Sequence, residues 1–421
     1  MPIQRLRGFH DIYGEEARLF DKVESTAREV FRDFGFEEIK MPMLEEKELF
    51  TRALGSETDV VQKEMYEFLD RSKTPVALRP EGTAGVVRAY LENNFDKTKG
   101  LAKFYYLGAM FRSERPQAGR LRQFHQIGVE QLGTDSPYAD AETIHCLTTF
   151  LDRAGVKGYQ LKLNNLGTFE ERRHFKEELK KYFEPRKKDL CEDCVKRLDK
   201  NVFRILDCKN ERCHRIILQS PPLTKHLVPE SKDHYVAACR ALDSVGVAYS
   251  HDEYMVRGLD YYTKTVFEIS HPKLGAQDAL AAGGRYDGLI ESFGGPKAGA
   301  VGFALGVERL LMCLDPEKVV KDSTKNSFFI VALGEAAFAE AFKLLSDLRQ
   351  NGVKASMDFS TKSIKSQMRS ADKSKSGHVL ILGEDELQKG VVTLKNMSNG
   401  EQRTISLDEV HKTVKKEISN A

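Results

Sequence analysis

The stretch GAMFRSERPQAGRLRQFHQIGVEQLG, residues 108–133, is the part of the chain that best defines its fold. Its alternation of apolar and polar residues predicts two strands, and the Pro-Gln-Ala-Gly segment between them predicts a turn. Four arginines surround this turn: Arg112, Arg115, Arg120 and Arg122. On the second strand Gln126, Gly128 and Glu130 share one face, because side chains alternate between the two faces of a strand. The stretch therefore predicts a hairpin with a cationic tip and a carboxylate on one face.

This hairpin has the composition of a binding site for a small ligand. Gly128 has no side chain, so it leaves room on the sheet between Gln126 and Glu130, and a carboxylate there could hold an amine or an imidazole N–H. Arginines at the tip suit a bidentate contact with phosphate. Charge clusters alone also allow a solvated arginine-rich hairpin with a surface glutamate, and this alternative stays open.

Three further clusters lie downstream. YMVRGLDYYTKTVFEIS, from Tyr254, sets Arg257 before two tyrosines and a strand, although aromatic residues beside a strand are more often core than pocket. AAGGRYDGL, from Ala281, is interpreted as a glycine turn that lets the backbone approach a ligand, which is a weak indication by itself. GAVGFALGVERLLMCL, from Gly299, predicts a strand that runs into a helix with Arg309 in its first turn. That arginine could reach a terminal phosphate or form a surface ion pair.

The chain around these clusters has the length and pattern of two or three domains. Apolar spacing from Glu16 to Phe34 predicts an amphipathic helix that ends at Gly35. The following GFEEIKMPML predicts a strand at a sheet edge or a partner interface, because it contains Pro42. Further strands are predicted at 76–79, 104–112, 123–132, 160–164, 264–270 and 300–305. We therefore expect an α+β fold with a mainly antiparallel sheet covered by helices.

Two segments depart from this pattern. Residues 168–234 are charged and helical, which indicates an inserted helical module within a domain that spans residues 1–320. After the polar stretch Asp315 to Ser327, residues 326–421 alternate strands with helices and predict a small α/β domain.

Composition narrows the class of protein. Lysine and arginine total 65 against 63 acidic residues, so nucleic-acid contacts must come from local patches. The N-terminus has no apolar signal segment, and the apolar runs are too short to cross a bilayer. Seven cysteines, an odd number, favour reduced thiols or a metal site over a disulfide framework. We expect a cytoplasmic protein that does not enter a membrane.

Four of those cysteines have the spacing of a metal site. Cys191, Cys194, Cys208 and Cys213 follow a Cys-x2-Cys-x13-Cys-x4-Cys pattern within the helical module. Four thiols can hold a structural zinc ion in tetrahedral geometry. Unpaired thiols in a helical module are the alternative.

Together the motifs resemble a known family over nearly the whole chain. GFEEIKMPMLEE, FRSERPQAGRLRQFHQIGVEQLG and GFALGVERLLMCL resemble motifs 1, 2 and 3 of class II aminoacyl-tRNA synthetases. RGLDYYTKTVFE and GGRYDGL resemble signature segments of histidyl-tRNA synthetases, and PEGT, residues 80–83, is similar to their amino-acid clamp. The resemblance implies a class II sheet, a helical insertion and a C-terminal anticodon-binding domain. It also implies histidine–tRNA ligase activity with ATP and Mg²⁺, with tRNA(His) and L-histidine as partners, in a homodimer built on the first helix and the Pro42 strand.

The resemblance also assigns roles to residues. For histidine it implies contacts from eight residues: Glu81, Thr83 and Gln126 at the α-amino group, Glu130, Tyr261 and Tyr262 at the imidazole, and Arg112 and Arg257 at the carboxylate and α-phosphate. For ATP it implies contacts from Arg112, Glu114 at the adenine and Arg309 at the γ-phosphate. Arg112 and Arg257 would be the catalytic residues, since adenylyl transfer needs positioning and electrostatics more than a protein nucleophile.

Two groups of residues would contact tRNA. Arg115 and Gln117 at the hairpin turn would approach the acceptor end. In the C-terminal domain Lys362, Lys365, Arg369 and Lys373 recur at helical spacing, which predicts a cationic stripe. A solvated helix face is the alternative for that stripe.

Two other functions are compatible with the resemblance. A non-catalytic paralogue, either a regulatory subunit or a tRNA-sensing module, would typically lack the ATP-binding arginines or the C-terminal domain. A synthetase for another amino acid is opposed by RGLDYY and by a pocket carboxylate suited to imidazole.

Overall fold

A computed structural model describes residues 3–56, 58–259, 261–275, 277–315, 326–360 and 363–419. The chain separates into two compact units, Met1–Val320 and Lys321–Ala421. Most of the polar stretch between residues 315 and 327 lies outside the described ranges. Within those ranges, none of the helices has both the length and the apolar character needed to span a membrane.

The first unit contains an eight-stranded sheet and a three-stranded sheet. Its strands are β1 Glu37–Glu38, β2 Leu44–Glu46, β3 Glu67–Leu69, β4 Pro75–Leu78, β5 Ala102–Phe111, β6 Gln123–Leu132, β7 Gln160–Asn165, β8 Ser250–His251, β9 Thr263–Ser270, β10 Ala279–Arg285 and β11 Ala300–Gly306. The large sheet has the order β1-β5-β6-β11-β10-β9-β7-β8. Its five central pairings are antiparallel, and only the short edge strands β1 and β8 pair in parallel. The expected antiparallel sheet is therefore confirmed.

The helices of this unit follow from local sequence. They are α1 Gly14–Asp33, α2 Lys47–Leu54, α3 Thr83–Glu92, α4 Phe95–Thr98, α5 Pro137–Ala154, α6 Phe169–Phe183, α7 Glu192–Lys200, α8 Glu211–Ile217, α9 Pro229–Ser244, α10 Gly288–Ser292 and α11 Val307–Cys313. Helix α1 buries one apolar face and is followed by Gly35 at φ +78°, as the spacing predicts. Helix α5 has Ser136 as its N-cap and proline at its first turn, which satisfies donors that a helix start leaves free.

The two faces of the large sheet pack against different partners. Tyr105, Ile127 and Val129 belong to a core with α1 and α5. Phe104 and Tyr106, whose side chains point the other way, belong to a second core with α3 and the helical insertion. Because Gln126 and Glu130 alternate with Ile127 and Val129 along β6, they lie on this second face.

Two local predictions are wrong. The strand predicted across Pro42 is interrupted: β1 ends at Glu38 at the sheet edge, and β2 begins at Leu44 in the three-stranded sheet. The glycine turn predicted at AAGGRYDGL is the central strand β10. A Cβ at Gly283 would lie 2.3 Å from the Gly302 carbonyl oxygen and 2.5 Å from the Phe267 ring, so this glycine serves strand packing.

The insertion is helical, with α6, α7 and α8 joined by short 3₁₀ segments. Glu171 connects its two ends: it forms a capping box with Thr168, and its carboxylate accepts hydrogen bonds from Val228 N at 2.7 Å and Ser231 Oγ at 2.8 Å. A carboxylate that accepts several such bonds fixes both chain ends in one place.

The second unit is a separate α/β domain. Its strands are β12 Phe328–Ala332, β13 Ala355–Met357, β14 His378–Leu382, β15 Val391–Asn396 and β16 Gln402–Ser406, and its helices are α12 Glu335–Gln350, α13 Ile364–Lys373, α14 Glu384–Gln388 and α15 Val410–Ser419. The sheet order is β13-β12-β14-β15-β16. Strands β13, β12 and β14 are parallel, and the last two pairings are antiparallel. Apolar residues of α12 and the sheet form its own core.

Candidate active site

A cavity of about 450 Å³ opens on the second face of the large sheet. Most of the site residues expected from the sequence line it: Glu81, Thr83, Arg112, Glu114, Gln126, Glu130, Arg257, Tyr261, Tyr262 and Arg309. They come from five separate segments of the chain, so the fold brings together motifs that are up to about 230 residues apart. A concave site with convergent polar groups of this size is suited to a small ligand.

Glu130 lies at the bottom of the cavity with 1% of its surface exposed. Its Oε1 accepts a hydrogen bond from Thr83 Oγ1 at 2.7 Å, and its Oε2 accepts one from Tyr286 Oη at 2.5 Å. Burial raises the pKa of Glu130 to about 8, although the hydrogen bonds from Tyr286 and Thr83 oppose the shift. A ligand N–H that donates to the remaining lone pairs stabilises the ionised carboxylate and therefore lowers this raised pKa.

Glycines create the space for this carboxylate. Gly302 is the partner of Glu130 in the pairing of β11 with β6, and a Cβ at Gly302 would lie 1.8 Å from Glu130 Oε2. Gly128 and Gly82 leave space for the Tyr106 ring, since a Cβ at either would lie about 2.5 Å or less from that ring. Any side chain at these glycines would have to displace a group of the site.

Glu81 and Thr83 sit where helix α3 begins. The Glu81 carboxylate accepts hydrogen bonds from the backbone N–H groups of Thr83 at 2.7 Å and Ala84 at 2.9 Å, which are unpaired donors at a helix N-terminus. Burial raises the pKa of Glu81. Thr83 donates its hydroxyl proton to Glu130, so that hydroxyl can offer only lone pairs to a ligand.

Gln126, Tyr261 and Tyr262 complete the buried wall. The Gln126 side-chain oxygen is buried and accepts no hydrogen bond from the described part of the chain. The two tyrosine rings lie 4.6 Å apart, and Tyr261 also meets Tyr286 edge-on at 5.7 Å. Burial raises the pKa of both tyrosines, so their hydroxyls stay protonated. The wall therefore offers hydroxyl groups and one unpaired amide oxygen to a polar ligand.

Arg112 is held at the end of the hairpin. Its Nε donates to the Pro80 carbonyl at 2.9 Å, and its guanidinium stacks over the Phe124 ring at 5.4 Å from the centroid. The remaining guanidinium nitrogens face the cavity, with Glu114 Oε1 3.9 Å from Nη1. The Pro80 backbone, between β4 and α3, thus orients an arginine fork that can still bind an anion.

Arg257 approaches the same space from the loop before β9. Its Nη1 contacts Glu268 Oε2 at 2.6 Å, and its guanidinium carbon lies 6.0 Å from the centroid of the Tyr262 ring. Its Nε is buried and has no hydrogen-bond partner in the described part of the chain. This combination leaves donor capacity for a ligand beside Tyr262.

Arg309 and Arg120 form a second cationic group at the outer end of the cavity. Arg309 Nε donates to the Ala279 carbonyl at 2.9 Å, and Arg120 contacts Glu114 Oε2 at 3.4 Å and the Gln277 side chain at 3.0 Å. Burial and then the charge of Arg120 lower the pKa of Arg309. Two cations this close to each other favour a bound polyanion.

Glu308, beside Arg309, is hydrogen-bonded to the second strand of the hairpin. It accepts hydrogen bonds from the His125 backbone N–H at 3.0 Å and contacts His125 Nδ1 at 2.9 Å. Helix α11 is thereby connected to β6.

Arg285 of the GGRYDGL segment is a structural residue. Its side chain is fully buried and contacts Asp140 at 2.6 Å, Asp287 at 2.9 Å and the Thr134 carbonyl at 2.5 Å. Since two carboxylates and a carbonyl satisfy this cation, its guanidinium does not face the cavity. The neighbouring Tyr286, which the sequence did not single out as a ligand contact, is the one that donates to Glu130. In the sequence, only the position of Tyr286 within the GGRYDGL segment could have indicated this contact.

The residues expected to contact tRNA are on surfaces. Arg115 and Gln117 are exposed at the hairpin turn, where the backbones of Gln117 and Arg120 pair. Lys365, Arg369 and Lys373 are exposed on α13. Lys362 lies outside the described residues.

The four cysteines of the insertion form one cluster. The four sulfur atoms all lie within 4.8 Å of one another; they belong to Cys191, Cys194, Cys208 and Cys213. The Cys191 and Cys208 sulfurs are 3.8 Å apart, and the Cys213 sulfur accepts a hydrogen bond from Cys191 N at 3.1 Å. Residues from α7, α8 and the segment between them thus converge on one point.

Comparisons with known proteins agree with this architecture. A family model described as "Histidyl-tRNA synthetase" matches residues 8–310, and one described as "Anticodon binding domain" matches residues 327–417. The chain is 44% identical over 408 residues to a protein of Desulfosudis oleivorans named histidine–tRNA ligase, covering 97% of this chain and 96% of that one.

Solved structures are also similar. The apo S. aureus histidyl-tRNA synthetase matches with a TM-score of 0.81 at 36% identity, covering 98% of this chain and 100% of that one. A Bacillus halodurans protein titled ATP phosphoribosyltransferase regulatory subunit/histidyl-tRNA synthetase matches with a TM-score of 0.68, covering 91% and 99%, but at 19% identity it shows only a shared fold. From the family model over most of its length and the extent of its identity to these relatives, the chain belongs to the histidyl-tRNA synthetase family.

Proposed function

We propose that the chain is a histidine–tRNA ligase and that the cavity on the large sheet is where it activates histidine. In the first step a carboxylate oxygen of histidine attacks the α-phosphorus of ATP, which forms histidyl-adenylate and releases pyrophosphate. In the second step a terminal ribose hydroxyl of tRNA(His) attacks the adenylate carbonyl, which forms histidyl-tRNA and releases AMP. The observation that carries the proposal is a buried carboxylate, Glu130, at the bottom of a cavity whose outer part is lined by arginines.

Glu130 would select histidine. Its lone pairs not used by Thr83 and Tyr286 would accept a hydrogen bond from one imidazole nitrogen. Tyr262, with Tyr261 beside it, would contact the other nitrogen. A side chain that cannot hydrogen-bond would leave this carboxylate buried without a ligand partner, which costs about 1–3 kcal/mol or more for a charged group.

Glu81 and Gln126 would hold the α-amino group. The Gln126 oxygen has a free acceptor site, and Glu81 keeps lone pairs beyond its two backbone contacts. An ammonium carries three donors, which matches these oxygens and the lone pairs of Thr83. The amino group and imidazole would then fix the direction of the histidine carboxylate.

The arginines would hold ATP and stabilise the reaction. Arg112 and Arg257 would flank the α-phosphate, where charge develops as the carboxylate attacks, and Arg309 would contact the γ-phosphate. Prearranged cations at such a position stabilise the transition state without reorganisation. Glu114, the carboxylate between Arg112 and Arg120, would face the adenine.

ATP would be accompanied by Mg²⁺. Glu308 lines the cavity beside Arg309 and keeps lone pairs beyond its contacts with His125, and carboxylate oxygens are the protein ligands that Mg²⁺ prefers. The residues therefore fit the ion, which when bound neutralises phosphate charge. The chain's own contribution is to orient the triphosphate with Arg112 and Arg309.

The regulatory-paralogue alternative is not favoured. Such proteins share this fold, as the Bacillus halodurans structure shows. Here all three arginines line one cavity with the complete set of pocket residues, and the chain continues into a matched anticodon-binding domain.

The C-terminal unit would bind the anticodon arm of tRNA. Lys365 and Arg369 on α13 are exposed one helical turn apart, which suits contacts with the phosphate backbone. On the catalytic unit, exposed Arg115 and Gln117 would approach the acceptor end.

The chain would act as a homodimer in the cytoplasm. Apolar side chains are exposed on and beside the three-stranded sheet: Met43, Leu44, Phe68 and Leu69. They follow directly on the segment expected to form a subunit interface, and two-fold pairs are the commonest assembly. Sedimentation at micromolar concentration should show a dimer, and a stable active monomer would refute this part of the proposal.

The cysteine cluster would hold a structural zinc ion. Four thiols within 4.8 Å of one another match the number and chemistry of ligands in closed zinc sites. Protein purified without added zinc should contain about one zinc per chain. Freely titratable thiols in zinc-free, folded protein would leave the cysteines as ordinary buried thiols.

Histidine-dependent exchange of pyrophosphate into ATP is the direct test of the function. With each of the twenty amino acids offered separately, only histidine should support exchange. A signal with another amino acid would refute the assignment of Glu130, and no signal with any amino acid would support a non-catalytic paralogue. Charging of tRNA(His) with histidine then tests the second step.

A further inference from the structure

Arg204 of the insertion makes contacts that connect three separate segments at the edge of the cavity. It lies on a short 3₁₀ segment, Val202–Ile205, whose Val202 and Ile205 side chains are fully buried. Its Nη1 contacts Asp59 Oδ2 at 3.1 Å, and its Nη2 donates to the Gly258 carbonyl at 3.0 Å. Both contacted residues line the cavity.

Each of these contacts lies next to one of the two arginines expected at the α-phosphate. Gly258 directly follows Arg257. Asp59 precedes the helical turn Val60–Glu64, and the Glu64 carbonyl accepts a hydrogen bond from Ser113 N at 2.6 Å, one residue after Arg112. Arg204 therefore contacts the backbone beside Arg257 directly and the backbone beside Arg112 through the 59–64 turn.

Another residue of the insertion fixes the backbone of Arg204. The Arg204 carbonyl accepts a hydrogen bond from Arg197 Nη1 at 3.0 Å. Arg197 lies on α7, which is capped by Cys191 and contains Cys194 of the cysteine cluster. A guanidinium with two partners and an anchored backbone has little freedom to move.

We infer that Arg204 is a positioning residue for adenylate formation, which holds the 257–258 loop and the 59–64 turn so that Arg257 and Arg112 face the α-phosphate together. This inference rests on the proposed function. An ordinary surface ion pair contributes little, but here one fork joins the Asp59 carboxylate to the Gly258 carbonyl, which belong to two separate segments that line the cavity. Displacement of a catalytic group by about 1 Å can cost on the order of a hundredfold in rate.

Arg204→Met removes both contacts while keeping a long side chain. It should lower kcat for histidine-dependent pyrophosphate exchange about tenfold with the histidine KM changed by less than about twofold, because a positioning contact acts on the transition state. Arg204→Lys should recover part of the loss, since an ammonium can still reach one partner. Arg186→Met is the matched control: Arg186 is also in the insertion, and its Nη1 donates to the Tyr182 carbonyl at 2.6 Å, away from the cavity residues.

A double-mutant cycle distinguishes positioning from general destabilisation. If Arg204 acts through Arg257, adding Arg204→Met to Arg257→Ala should lower kcat much less than it does in the wild type. Fully additive losses would overturn the inference, and so would a loss of the same size in Arg186→Met.

Hydrogen exchange tests the same inference without any activity. Peptides covering residues 59–64 and 256–259 should exchange faster in Arg204→Met than in the wild type or in Arg186→Met. Unchanged exchange would refute the positioning role even in an active enzyme. Faster exchange in a protein that lacks histidine-dependent activity would instead refute the proposed function and leave the connecting contacts standing.

Discussion

The floor and the rim of the cavity are built differently. The floor consists of Glu81, Thr83, Glu130 and Tyr286, which are nearly fully buried and hydrogen-bonded to one another or to a helix start. The rim consists of Arg112, Arg257 and Arg309, which are partly exposed and held by backbone carbonyls or by Glu268. The floor is a hydrogen-bond network whose carboxylates keep a few free acceptor sites, whereas the rim keeps unused donors.

This difference separates recognition from catalysis. A network already satisfied in the free protein can accept only a ligand whose donors match its remaining lone pairs, which gives specificity. Cations with spare donors gain most when negative charge develops, which gives rate. We therefore expect substitutions in the floor to raise the histidine KM and substitutions in the rim to lower kcat.

The largest effect is expected at the rim. Arg257→Ala should lower kcat for pyrophosphate exchange by about 10²–10³-fold, the usual result of removing one group that stabilises transition-state charge. The histidine KM should change little. Glu268→Gln is the control, because it removes the ion-pair partner of Arg257 and leaves the arginine in place. A defect confined to KM would remove the distinction between rim and floor.

The next largest effect is expected in the floor. Glu130→Ala should raise the histidine KM more than tenfold, because a charge-assisted hydrogen bond is worth about 1.5–3 kcal/mol. The KM for ATP should stay near the wild-type value. Steady-state exchange kinetics with each substrate varied measure both constants. A normal histidine KM in this variant would mean that Glu130 does not contact the substrate.

The floor should also make stability depend on pH. Burial raises the pKa of Glu130 to about 8, so between its ordinary value and pH 8 the folded protein binds a proton that the unfolded chain has released. Stability from this group is complete below the unfolded pKa and falls by about 1.4 kcal/mol per pH unit as pH rises toward 8. The stability advantage of Glu130→Gln over the wild type should therefore grow from pH 5 to pH 8 in denaturant titrations. A constant difference would contradict this burial.

A smaller effect is expected from the hydroxyl that supports Glu130. Tyr286→Phe removes one hydrogen bond to the carboxylate and should raise the histidine KM a few-fold, corresponding to about 1 kcal/mol. Tyr261→Phe tests the neighbouring ring in the same assay. A loss of kcat with an unchanged histidine KM would show that Tyr286 contributes to catalysis, as the rim does, and not to histidine binding.

Substitutions in the C-terminal unit are expected to have the smallest effect on the reaction in the cavity. Lys365→Ala combined with Arg369→Ala should weaken tRNA binding a few-fold and reduce the slope of log affinity against log salt by roughly 1–2, as expected for two lost phosphate contacts. Pyrophosphate exchange should be unchanged. A loss of exchange would show that recognition and catalysis are not confined to floor and rim.

Much of the site could be predicted because its residues lie in local motifs. The hairpin, the first helix with Gly35 at its end, and the arginines of three clusters follow from spacing and turn chemistry. The contacts that Thr83 and Tyr286 make with Glu130 illustrate what could not be predicted in this way. Their contacts with Glu130 join residues 47 and 156 positions apart, and no local pattern specifies such a pair.

The errors have a similar cause. Local spacing predicted one continuous strand across Pro42, where the structure has two. It also predicted a turn at β10, because glycines weaken strand propensity. In the folded sheet, Gly283 and Gly302 are where neighbouring strands and Glu130 need the space of a missing side chain. Arg285, in the same AAGGRYDGL cluster, is paired with Asp140 and Asp287 within the protein.

The sequence by itself determined the family, the periodicity of the main strands and helices, and the types of residue that could bind a phosphate and an imidazole, because these depend on local spacing and side-chain chemistry. Only the tertiary structure decided which carboxylate became buried, which arginines remained available to a ligand, and how Arg204 came to contact two separate segments of the cavity lining. Those properties depend on strand order and burial, which set the solvation and the partners of each group.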